Sequence, residues 1–219
     1  MTLGVIKEKL DKIRPPKTMS RKKDVVVVVL VLCLGIVLGI ISKYLDALGL
    51  DSTVWWHRPL EILDLGNFFS DFAIWLLIAL LIAVFSATAM RAALNVLAFF
   101  VGMCAAYHIY TVVFCGFNPS SYMMIWYGIT ILSPIMAVLC WYAKGSGAVA
   151  VILDIGIMAV FFLSCFSIGF FYLAIRGILY LLTFAGAVAV LYRTPKQTIV
   201  SLLGGFLLSF LLSPVWIYL

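Results

Sequence analysis

The sequence predicts an all-α fold: a polytopic transmembrane helix bundle of about seven spans, with the N-terminus cytoplasmic and the C-terminus outside. Three observations predict it. Seven apolar stretches of roughly bilayer-crossing length fill most of the 219 residues. Apolar residues make up 65% of the chain and charged ones 11%, where soluble domains carry about 25% charge. The cations also fall on alternate connections.

A helix crosses a hydrocarbon core of roughly 30 Å with about 20 apolar residues. On that rule the spans fall at Val25–Ile41, Asp71–Met90, Ala92–Cys115, Tyr122–Tyr142, Ala148–Ser167, Phe170–Tyr192 and Thr198–Tyr218. They are helices because a backbone in lipid must satisfy its own hydrogen bonds, and none of the runs alternates apolar and polar residues as barrel strands do. The fifth and sixth spans are separated only by Ser167, Ile168 and Gly169, which demands a very tight turn. The first span reads as an uncleaved anchor. Its apolar run outlasts that of a signal peptide, and no small-x-small cleavage site follows it before Lys43.

Orientation comes from charge. Lys7, Lys9, Lys12, Arg14, Lys17, Arg21, Lys22 and Lys23 precede the first span. Threading seven spans from a cytoplasmic N-terminus puts Arg91, Lys144, Arg193 and Lys196 on the same side, 12 of the 15 Lys and Arg in all. Cytoplasmic loops carry such an excess. Tyr44, Trp55, Trp56, Tyr122, Trp126, Trp216 and Tyr218 then fall at the outer headgroup level, and Trp141, Tyr142 and Tyr192 at the inner one.

Residues 1–24 thus form a basic cytoplasmic segment and 25–219 a single transmembrane helical domain, with 42–70 an external connector. Met1–Ile13 sets Leu3, Ile6, Leu10 and Ile13 against lysines, the pattern of a short interfacial helix, although topology alone accounts for its charge. The connector inverts the charge, with Asp46, Asp51, Glu61 and Asp64 against Lys43 and Arg58. Around Pro59 it suggests a short surface helix, either a lid over the bundle or a tether held by tryptophans.

Small residues mark close helix contacts in lipid. Gly35 and Gly39 form a GxxxG pair, and Ser201, Gly205, Ser209 and Ser213 recur every fourth residue. Both faces are expected to pack tightly, within the chain or against another copy. Pro134 interrupts the fourth span, where Thr130 and Ser133 are placed to satisfy the freed backbone.

Two charges, Asp154 and Arg176, lie inside spans, and charge at such depth is paired or faces an aqueous cavity. Tyr172, Arg176, Tyr180 and Thr183 fall on one helical face, so a polar pathway or a structural ion pair is expected there. Arg91 and Asn95 lie one turn apart at an inner span end, with Arg91 read as an interface marker. Cys104, His108, Thr111 and Cys115 match no metal-site spacing and read as buried side chains. His57, Glu61, Asp64, Asn67, Asp71, His108, Asn118 and Trp126 map to the outer third, as an outward vestibule or an ordinary polar rim.

Phosphate loops, HExxH and G-x-S-x-G are absent from the sequence. No metal or other cofactor is expected, and an enzyme is the least favoured class. Nucleic acid is not an expected partner, because topology explains the positive charge. The partners expected are the lipid bilayer and, at the small-residue faces, other membrane proteins or a second copy. Two functions stay open: a small-ligand-binding or transport-associated protein of a bacterial plasma membrane, and a structural or assembly subunit.

Overall fold

A long helix, α1 (Arg21–Ala47), leads the chain in the computed structural model. Ser20 caps its N-terminus by accepting from the Lys23 amide, and Asp24 sits in the first turn, where the helix dipole favours an anion. The structure describes residue 8 and residues 10–49, 53–169 and 172–216. Most of the expected interfacial helix, the connector's Asp51 and the tail beyond 216 lie outside the described residues. Residues 10–13 of that expected helix are helical.

The connector holds two short helices, α2 (His57–Ile62) and α3 (Leu65–Ser70). Next come α4 (Phe72–Phe85), α5 (Ala89–Tyr110) with a π-helical extension Thr111–Cys115, α6 (Ser120–Ala143) and α7 (Ala148–Cys165). A two-stranded antiparallel hairpin, β1 (Phe166–Ile168) and β2 (Leu173–Ile175), leads to α8 (Ile178–Leu191) and α9 (Pro195–Trp216). Five helices of the described residues are long and apolar enough to cross a membrane, and α4 and α8 are apolar but only 14 residues each. The chain is a membrane-embedded bundle of apolar helices.

Two expected spans change. The run Asp71–Met90 breaks at Ser86, where the backbone turns extended, and Thr88 caps α5 by accepting from the Arg91 amide. Arg91 therefore lies in the first turn of α5 and is not a loop residue. The run Phe170–Tyr192 is helical only from Ile178, and the tight turn expected before it is the β hairpin. Trp126 and Trp141, expected in headgroup belts, are buried.

The helix α4 explains itself by position. It contacts α5, α6, α7 and α8, and only Phe85 at its end is exposed. A helix apolar all round belongs inside a bundle. At 14 residues it rises about 21 Å, short of the roughly 30 Å core. Protein groups must therefore satisfy both of its ends. Asp71 caps the first by accepting from the Phe72 amide at 2.6 Å. At the other end Arg14 donates to the Val84 and Trp141 carbonyls, both at 2.7 Å, and lies 4.4 Å over the Trp141 ring. Burial holds the Arg14 guanidinium below its ordinary value. Arg14→Ala is expected to cost about 2 kcal/mol, from charge-assisted hydrogen bonds and a cation–π contact. Arg14→Lys should recover under half of that, since an ammonium has no planar face to stack. Thermal unfolding in detergent reads both.

The Gly35 and Gly39 face of α1 meets α5. A Cβ at Gly39 would sit 2.5 Å from the Met103 carbonyl oxygen, one at Gly102 would sit 2.6 Å from that of Leu32, and Gly35 abuts the Phe99 carbonyl. The Ser201 and Gly205 face of α9 meets α7, where a Cβ at Gly205 would lie 2.7 Å from the Met158 Cβ. Ser209 is buried on the same face, and Ser213 is half-buried near its end. In α6, Ser133 donates to the Thr130 carbonyl at 2.8 Å, the acceptor that Pro134 leaves without its amide.

Candidate functional site

Polar side chains gather in three places. The first joins the N-terminal ends of α4 and α8. Asp71 Oδ2 pairs with Arg176 Nη2 at 2.5 Å and accepts from the Tyr180 hydroxyl at 3.2 Å. Arg176 Nη1 donates to the Ser164 carbonyl near the end of α7, and the guanidinium lies 4.7 Å over the Tyr180 ring. Tyr172 is exposed and stands apart. The stripe expected on one helical face does not form: Tyr172 and Arg176 precede α8, and the Thr183 hydroxyl bonds back to the Leu179 carbonyl.

The second place lies at the basic end. Asp154 Oδ2 accepts from the Ser201 hydroxyl at 2.7 Å and pairs with Arg193 Nη2 at 3.3 Å. Arg193 Nη1 donates to the Gly145 carbonyl, and Lys144 Nζ donates to the carbonyls of Val190 and Tyr192, both at 2.6 Å. Lys144 thereby closes the end of the second short helix, α8. Burial pushes the Lys144 ammonium below its ordinary value; Arg193 and Arg14 add to this and Asp154 opposes it. Asp154 and Arg176 are thus not partners. Asp154 and Ser164, whose carbonyl Arg176 reaches, are separated by about 15 Å along α7.

The expected vestibule residues do not converge either. Trp126 packs against Phe72 at 5.0 Å and Trp75 at 6.3 Å between ring centroids. The space among Trp126, Trp75, Tyr107 and Tyr122 is about 10 Å³, room for one water. His108 Nδ1 bonds the Tyr127 hydroxyl at 2.7 Å. His57 is buried edge-on to the Trp56 ring, and Asn67 donates to Asp64 at the surface. Cys104 faces the Thr130 hydroxyl at 3.3 Å.

The third place has room for a ligand. A cavity of about 210 Å³ lies between α1 and the α4–α5 junction at the basic end, lined by Asp24, Ser86, Arg91 and Asn95 and by apolar side chains. Arg91 Nη2 pairs with Asp24 Oδ2 at 2.6 Å. Asn95 is 4% exposed, and its Nδ2 donates to Ser86 Oγ at 2.9 Å. That hydroxyl gives its proton to the Ile82 carbonyl at 2.7 Å, so it can only accept from Asn95. The amide is thereby fixed, and Asn95 Oδ1 is buried with no donor among the described residues.

In the sequence Arg91 and Asn95 lie one turn apart with Arg91 as an interface marker, and Asp24 falls at the end of the basic segment 1–24. The available signal was the common depth of the three residues: Asp24 is one turn into α1, while Arg91 and Asn95 are one and two turns into α5. No protein-family model, curated protein or solved structure matches this chain.

Proposed function

We propose that the protein crosses the plasma membrane seven times, with its N-terminus in the cytoplasm and its C-terminus outside, and binds a small amphiphile from the inner leaflet. This is the small-ligand-binding, transport-associated reading of the sequence. The topology draws support from five long helices and two short apolar ones that alternate between a basic end and an acidic, aromatic end. The carrying observation is the cavity of about 210 Å³ in which a half-buried ion pair stands among apolar walls. Pockets of that makeup suit ligands with one polar and one apolar part.

The assembly-subunit reading loses its main support, because Gly35, Gly39 and Gly205 are already packed against the chain's own helices. Filling the cavity tests the binding reading. Val27 is a half-buried wall residue, and Val27→Trp places an indole in the space. Mass spectrometry of the intact protein from mild detergent should find an amphiphile retained by the native chain and lost from Val27→Trp. Equal retention by both, or none by either, refutes the role.

A further inference from the structure

Resting on that ligand-binding reading, we infer that the cavity selects a phospholipid whose headgroup joins a phosphate to a primary ammonium. The cavity walls supply the specification. Arg91 is a planar fork suited to phosphate oxygens. Asp24 lines the cavity and offers only acceptors. A primary ammonium brings three donors, whereas a quaternary choline brings none. Arg91 and Asp24 cancel in charge, so a zwitterion fits without leaving a net charge in a half-buried site. An anionic headgroup with no ammonium would face Asp24 without compensation.

The remaining walls fit acyl chains. Val27, Val31 and Ile82 line the cavity, and Phe85 is 75% exposed at its rim. This apolar flank favours a membrane lipid over the free headgroup, since a soluble phosphoamine would leave those walls unfilled. The depth agrees: Asp24 and Arg91 each lie in the first turns of their helices, at headgroup level.

The test uses the full chain in detergent micelles doped with equal amounts of dioleoyl phosphatidylethanolamine, phosphatidylcholine and phosphatidylglycerol. Bound lipid is counted by native mass spectrometry. The ethanolamine lipid should be retained about tenfold or more over either competitor, the worth of one to two added hydrogen bonds. In Asp24→Asn the cavity becomes cationic, and preference should move to the glycerol lipid. That swap is a gain of binding, so a misfolded variant cannot mimic it. Equal retention of all three lipids, or an unchanged order in Asp24→Asn, overturns the headgroup assignment while the amphiphile reading stands. No retained lipid at all overturns both. Displacement of the bound lipid by O-phosphoethanolamine at equal concentration overturns the lipid as the source of that headgroup.

Discussion

Asp154→Leu is expected to lower the stability of the bundle by about 3–5 kcal/mol, the cost of leaving a buried guanidinium without its counter-ion. The side chains of Arg193 and Asp154 are only 11% and 4% exposed, so water cannot take over the lost contact. Ser201 also loses its acceptor. Arg193→Met should cost a similar amount, because it strands the carboxylate. The double variant should recover much of the sum, since a buried ion pair replaced by apolar side chains of similar size is close to neutral. Unfolding midpoints of the four proteins in one detergent give the coupling directly. Additive losses would show that the two charges act separately.

The second large effect comes from α1. Gly35→Leu forces a side chain onto the Phe99 carbonyl, and Gly39→Leu does the same at Met103. The obstacle is backbone, which cannot turn aside as a side-chain tip does. The helices must separate, and the contact surface shared by α1 and α5 is lost along its length. A loss of at least about 3 kcal/mol is expected for either variant, the upper end for overpacking. Gly128→Leu is the control, because a Cβ there meets nothing within 4 Å. Gly35→Leu and Gly128→Leu unfolding at the same temperature would contradict the packing described here.

Hydropathy located the helices but not their ends. It averages over a window, so Ser86, Ala87 and Thr88 vanished into the apolar run that the chain in fact breaks there. A hydroxyl three residues before Arg91 was the visible cap signal, and it outweighs three residues of modest apolarity. The start of α8 was lost for a related reason: Leu173, Ala174 and Ile175 are apolar whether they form a strand or a helix. Sequence gives the depth of a charge but not the direction it faces. Asp154 and Arg176 both read as costly, yet each is neutralised by a residue that the sequence does not pair with it, Arg193 in a connection and Asp71 at a helix start. The cavity beside Asn95 was hidden by the same limit. Its polar lining comes from α1, the α4–α5 junction and α5, which only the packing brings together.

The docking of Arg14 sets an order on biogenesis. Its two acceptors stand 70 and 127 residues downstream. The ribosome makes the guanidinium first, while the carbonyls it must reach leave the translocon later. Until Trp141 emerges, the C-terminal end of α4 has no complete seal, and a segment this short is held in the bilayer by its neighbours more than by its own length. Arg14 is therefore synthesised well before either of its acceptors, and its docking locks the central helix in place.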